Sequence, residues 1–182
     1  MTDKQKLLKF NPDQIEMVNN SVAMAEELVS NHFKMSASQW LHPKYDVKTL
    51  ADLAPDEIVN GPFAQVIRYK GRRIGKTLES ASYDLYKICL QDHSIISILK
   101  SKKDLRLFPF ALYIITHELI HIVRFSKFLQ SFAASEDEKY LEEARVHNYT
   151  RLILNDIQIC GLDKVLAFYS NWQIPIEGVR LS

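Results

Sequence analysis

Ile114-Ile115-Thr116-His117-Glu118-Leu119-Ile120-His121-Ile122-Val123 is the stretch that decides how this chain is read. Two histidines stand four residues apart, with a glutamate directly after the first. Residues four apart lie one turn apart on the same helical face. Both imidazoles can therefore reach one ion at about 2.0–2.1 Å, with Glu118 beside the ion's open coordination position. The spacing predicts a divalent metal of the zinc type held by His117 and His121. An ordinary polar helix face with contacts one turn apart would use the same residue types. Against that, Leu112, Ile114, Ile115, Leu119, Ile120, Ile122 and Val123 make the segment apolar nearly all round, which predicts burial. Buried imidazoles and carboxylates need partners, and an ion with its water supplies them where isolation would cost several kcal/mol per group.

The flanking sequence frames this helix. Lys100 to Asp104 reads as a charged loop, and Phe108-Pro109 as a helix start, because proline fits a first turn but not a helix interior. Further on, Ser135-Glu136-Asp137-Glu138 has the form of a capping box with acids in the first turn. It opens another long helix, for which Gly161 is the natural stop. A short helix over Leu162 to Trp172 and a tail with Pro175 follow. Near the other end, Asn11-Pro12-Asp13-Gln14 combines an N-cap, a proline at the first helical position and a glutamine reaching back. About twenty helical residues should follow, with Ile15, Val18, Val22, Ala25, Val29 and Phe33 as the core stripe and Met17, Met24, Leu28 and Met35 widening it.

Between these helices the pattern changes. Pro43, Pro55 and Pro62 break residues 36–61, leaving room for short helical pieces around Lys48 to Leu53 and Asp56 to Asn60. Phe63 to Tyr69 and Ser82 to Leu90 carry β-branched and aromatic residues in partial alternation, with a turn at Lys70-Gly71-Arg72-Arg73. The prediction is an α+β chain, mainly helical, with a small antiparallel sheet packed beside the histidine-bearing helix. The 182 residues suit one domain: a helical part over 1–61, a small sheet over 62–100, and the metal-binding and C-terminal helices over 105–172.

Composition narrows the function by exclusion. A formal charge of +1 creates no field that argues for nucleic acid or an anionic membrane. The start, Met1 to Lys6, leads into only a short apolar pair, so no signal peptide is expected. The apolar run from Leu107 to Thr116 is about half the roughly 20 residues of a membrane span. Cys89 and Cys160, both read as buried free thiols, fit a reducing, cytoplasmic setting. His32, His42 and His93, the last in a turn at Asp92-His93-Ser94, read as solvated or structural. Trp40 and Trp172 are isolated anchors.

With its neighbours, His117-Glu118-Leu119-Ile120-His121 resembles the zincin metallopeptidases. Their gluzincin type takes a third zinc ligand, a glutamate, from a second helix, often with an acid four residues later supporting a zinc-bound histidine. Glu143-Ala144-Arg145-Val146-His147 is similar, 22 positions beyond His121, with His147 where the family usually has aspartate. The resemblance covers roughly Phe108 to Leu154. It implies a zincin-like fold in which His117, His121 and Glu143 hold zinc, and Glu118 is the general base for a metal-activated water attacking a peptide bond. It also implies a peptide or protein substrate, added along a sheet edge for which Tyr83 to Leu90 is the candidate. His147 can support a ligand, donate to a developing oxyanion or bind the metal itself. Tyr113, Tyr149 and Arg145 are further oxyanion candidates. Glu142 stays open as rival ligand: the helical wheel sets it in an apolar arc near Val146 and Ile153, whereas Glu143 shares a side with His147.

Three other functions use the same residues. A zincin relative can serve as a regulator or sensor without general proteolysis. Glu118-Leu119-Ile120-His121 is also the Glu-x-x-His of di-iron helical proteins, although Glu143 and His147 stand one residue too far apart to repeat it. A metal-free helical interaction module is the third.

Overall fold

The computed structural model describes residues 7–41, 44–72, 82–127, 129, 131, 133–170 and 177–181. It is an α+β fold, mainly helical. Helix α1 (Pro12–Phe33) starts as expected: the Asn11 side chain accepts from Gln14 N at 2.9 Å, and the Gln14 side chain accepts from Asn11 N at 2.9 Å. Val18, Ser21, Ala25 and Val29 form its buried stripe. Met24, Leu28 and Met35 pack against the core, but Met17 is exposed and does not widen the stripe.

Among the described residues the sheet holds four strands, β1 (Lys44–Lys48), β2 (Ala64–Arg72), β3 (Ser82–Leu90) and β4 (Glu177–Leu181), in the order β1-β3-β2-β4. Antiparallel pairing joins β2 to β3 from Ala64↔Leu90 to Arg72↔Ser82, as the alternation predicted. The sheet as a whole is mixed, because β1 runs parallel to β3 and β4 parallel to β2. Three expectations change as a result. The Lys70–Arg72 segment is strand and not turn, and Arg73 and the rest of the connection lie outside the described residues. The Tyr83 to Leu90 segment is interior, flanked by β1 and β2, so it is not an edge that could accept a peptide. Residues 44–48, read as irregular, form an edge strand whose Lys-Tyr-Asp-Val-Lys alternation places charges on one face. Short 3-10 turns at Leu50–Asp52 and Pro55–Glu57 take the place of the small helical pieces.

Helix α2 (Asp92–Ser101) occupies what read as a turn at Asp92-His93-Ser94. Asp92 is buried and accepts from Phe10 N and Leu50 N, both at 2.9 Å. Its carboxylate thus ties the chain ahead of α1 and the Leu50–Asp52 3-10 turn to the start of α2, a tertiary role that local sequence does not display. Gln91 completes the tie: its Nε2 donates to Glu57 O at 3.0 Å, and its Oε1 accepts from Val59 N at 3.1 Å.

Helix α3 (Leu107–Ser126) is the axis of the fold, covered by α1, α4, α5 and the faces of β2 and β3. Among the described residues it is the one helix long and apolar enough to cross a membrane, and it is buried inside the protein. Its burial explains its all-round apolarity. Helix α4 (Glu136–Leu154) begins at the predicted capping box, with Ser135 Oγ accepting from Glu138 N. It stops well short of Gly161. Asn155 and Asp156 follow, residue types whose side chains compete for backbone hydrogen bonds and weaken a helix. Gly161, at φ 87°, turns the chain into α5 (Leu162–Ser170). Trp172 and Pro175 lie outside the described residues, as does His42. Cys89 is buried, but Cys160 is exposed, its sulfur accepting from Arg106 Nη1 at 3.2 Å. Trp40 is a buried anchor whose Nε1 donates to Ser30 Oγ at 2.7 Å.

Candidate metal centre

On α3, Tyr113, His117, His121 and Phe125 follow one another at one-turn intervals and share a face. Packing of α4 against α3 brings Glu143 and His147, themselves one turn apart, onto that face. The two histidine Nε2 atoms stand 3.1 Å apart. The Glu143 carboxylate presents an edge to both, Oε1 lying 3.1 Å from His121 Nε2 and Oε2 3.4 Å from His117 Nε2. Donor atoms about 2.1 Å from a common ion at tetrahedral angles stand roughly 3.4 Å from one another. The triangle of two imidazole nitrogens and a carboxylate fits that separation, and the donor set is one that zinc accepts.

The electrostatics agree with the geometry. His117, His121 and Glu118 are essentially inaccessible, whereas Glu143 keeps 17% of its side-chain surface. Burial opposes ionisation of Glu143, but the charge of His121 and the hydrogen bonds from His117 and His121 outweigh it and hold the carboxyl well below its usual range. Glu143 therefore stays a carboxylate; the His117 and His121 nitrogens that donate to it would have to give up their protons to bind a metal, whose charge would take the place of theirs.

Glu142, the rival, is engaged elsewhere. Arg124 Nε donates to its Oε1 and Arg124 Nη2 to its Oε2 at 3.1 Å, while Arg145 Nη1 donates to Oε2 at 2.5 Å. Its burial, which the helical wheel anticipated, comes from this cluster and not from a place beside the histidines. Arg145 is likewise committed to Glu142. Tyr149 packs against His32 and Phe33, its ring under the Arg124 guanidinium. Tyr113 and His147 stand beside His117, their ring centroids 6.4 and 4.4 Å from its own.

His147 lies beside the triangle. Its ring centroid is 4.4 Å from that of His117, and a ring nitrogen falls within 4.8 Å of donor atoms of His117 and Glu143. A triad of His117, Glu143 and His147 is therefore also available to an ion. The Nδ1 of His147 makes a 2.7 Å hydrogen bond with Tyr113 Oη, and the Tyr113 ring stacks on Tyr169 of α5 at 3.8 Å. From the sequence, Tyr113 is one of several oxyanion candidates. Its signal was its position four residues before His117.

A cleft of about 670 Å³ lies away from the histidines. It opens one helical turn beyond His121, between Phe125, Arg145 and Glu142 on the helices and Arg68 and Asp84 on the sheet. The Phe125 ring, stacked 6.2 Å from that of His121, forms the partition between cleft and centre. Of the remaining histidines, His32 is exposed and His93 Nε2 lies 3.3 Å from Asn60 Oδ1. No protein-family model, curated protein or solved structure matches the chain.

Proposed function

We propose that the chain is a zinc-dependent peptide hydrolase of the zincin type, with His117, His121 and Glu143 as metal ligands and Glu118 as general base. The observation that carries this reading is the convergence of the two Nε2 atoms and the Glu143 carboxylate at 3.1–3.4 Å, with Glu118 buried on the same helix next to His117. An ion bound there supplies Lewis acidity, easing ionisation of a water and polarising a substrate carbonyl. The protein's own groups supply the rest. Glu118 takes the proton from the attacking water and returns it to the departing amine. The low polarity of the α3 surroundings strengthens each electrostatic interaction at the centre. The cleft beyond Phe125 is large enough to take substrate side chains.

One observation favours a second reading, a regulatory metal site without general proteolysis: His117, His121 and Glu118 are almost fully enclosed. The same experiment separates the two. Metal content is measured on purified protein and peptide-library cleavage on the wild type and Glu118→Gln. Hydrolysis predicts one zinc per chain in both and a loss of turnover of about 10²–10⁴ in the variant. Equal metal with no wild-type cleavage supports the regulatory reading. Two irons per chain would replace both by the di-iron alternative, and a metal-free, chelator-insensitive protein by the interaction module.

A further inference from the structure

Two guanidinium groups share the Glu142 carboxylate, and they hold it in different ways. Arg124 grips it across the α3–α4 interface with its Nε and Nη2, whereas Arg145, on the same helix as Glu142, reaches it with Nη1 alone. Among the described residues the Nε and Nη2 of Arg145 donate to nothing, and its side chain keeps 51% of its surface where it lines the cleft beyond Phe125. Two cations against one carboxylate leave one positive charge, and the neighbouring charges do not cancel it. Lys139 pairs with Glu136 at 2.9 Å, and on the sheet wall Arg68 and Asp84 supply one charge of each sign. Glu138 is engaged at the helix start, its Oε2 accepting from Ser135 N at 2.7 Å, seven residues and about 10 Å along the axis from Arg145.

We infer that this cleft is a carboxylate subsite, in which the unused Nε and Nη2 of Arg145 receive an acidic group of the peptide substrate, either a side chain or the C-terminus. The inference deepens the reading of the centre as a peptide hydrolase and rests on it. The Phe125 ring, which lines the cleft, has its centroid 6.2 Å from that of His121, about two residues of extended chain. A carboxylate held there therefore belongs to a residue close to the bond brought to the histidines. A guanidinium edge meets a carboxylate with two parallel hydrogen bonds, the arrangement that Arg124 already makes with Glu142. Phe125, Leu129 and Leu141 supply apolar wall around the charge, where an ion pair is stronger than on an open surface.

The test measures binding by calorimetry on Glu118→Gln protein, which should not turn peptides over, incubated with one equivalent of zinc. The probes are acetylated hexapeptides of one sequence: neutral and amidated, amidated with a glutamate stepped through every position, and neutral with a free C-terminal carboxylate. A glutamate at one position, or the free C-terminus, should tighten binding about tenfold or more over the neutral amide, and whichever does so names the source of the carboxylate. Arg145→Gln should remove the preference; the residue is half exposed, and Arg124 still holds Glu142 in the variant. Lys139→Gln, the same loss of charge in the same cleft, should keep it. The ¹⁵N resonance of Arg145 Nε should shift with the preferred peptide and not with the neutral amide. Equal binding of all peptides, binding of none, or a preference that survives Arg145→Gln would overturn the subsite, and zinc-dependent cleavage by the wild type in that case would leave the hydrolase standing. An Arg145-dependent preference in a chain that takes up no zinc and cuts no peptide would uphold the subsite and remove the hydrolase.

Discussion

Arg124 and Glu142 meet across the α3–α4 interface as a buried fork, two guanidinium nitrogens donating to the two oxygens of one carboxylate. Fork pairing of this kind adds geometric specificity to charge. It fixes the rotation of α4 about its own axis, and that rotation turns the next residue, Glu143, towards His117 and His121. Two adjacent acids thus have separate places: one pairs with Arg124 between the helices and the other stands beside the two histidines.

This division predicts opposite outcomes for neighbouring substitutions. Glu143→Ala should abolish stoichiometric zinc binding while leaving the fold intact. Glu142→Ala should retain one zinc per chain but lower stability, since it leaves the Arg124 guanidinium buried without its carboxylate. Removing one partner of a buried ion pair costs about 3–5 kcal/mol, and a value near the lower end is expected for Arg124→Ala because Arg145 still holds Glu142. Metal analysis alongside urea melts checks both. Loss of zinc in Glu142→Ala with retention in Glu143→Ala would reverse the assignment.

Metal removal should destabilise the protein. Zinc binding to the folded chain alone adds about 2.7 kcal/mol at a free concentration one hundred times Kd, a shift of roughly 5–10 °C in Tm for a chain of this size. Thermal melts with and without a chelator should show the difference in the wild type and none in a His117→Ala, His121→Ala double variant. An equal chelator effect in both would place the ion elsewhere.

Acid should weaken the sheet side of the fold through Glu57. Burial opposes its ionisation, but hydrogen bonds from Lys87 Nζ at 2.6 Å, Tyr69 Oη at 2.6 Å and Ala54 N at 2.8 Å prevail and hold its pKa at about 2. A carboxyl whose folded pKa lies below its unfolded value of 4.5 contributes stability that is complete above about pH 5 and fades as pH falls towards 2. The contribution is on the order of 3 kcal/mol at neutral pH. Urea melts at pH 7 and pH 2.5 should therefore show Glu57→Gln less stable than wild type at the higher pH, with the gap narrowing at the lower. A gap independent of pH would mean that the ionised carboxylate is not what stabilises.

Asp92 should matter more than a residue at the start of a ten-residue helix ordinarily does. Asp92→Ala strands the amides of Phe10 and Leu50, at about 1–3 kcal/mol for each buried unsatisfied group. Asp92→Asn keeps one acceptor oxygen and should recover part of the loss. Hydrogen exchange should report faster opening at Phe10 and Leu50 in the alanine variant. Unchanged protection there would show that water replaces the carboxylate without cost.

Local signals in the sequence were sufficient for the start of α1 and the start of α4, because a capping box satisfies backbone donors within four residues and needs no tertiary partner. The burial of α3 was legible for a related reason: a helix apolar on every side has no face left for solvent. The pairing of β2 with β3 followed from alternation. The strand at 44–48 carried the same signal in short form and was obscured by Pro43. Helix α2 was hidden because its first residue, Asp92, looks like a turn former and acts instead as an acceptor for amides 82 and 42 residues away.

By itself, the sequence determined which atoms could hold a metal, since spacing on one helix puts His117 and His121 on a common face whatever surrounds them. Tertiary structure alone placed Glu143, and not Glu142, beside the two histidines and brought Tyr113 to His147. The choice depends on how α4 is rotated against α3, and that rotation is set by the fork between Arg124 and Glu142, side chains 18 residues apart that no local pattern connects.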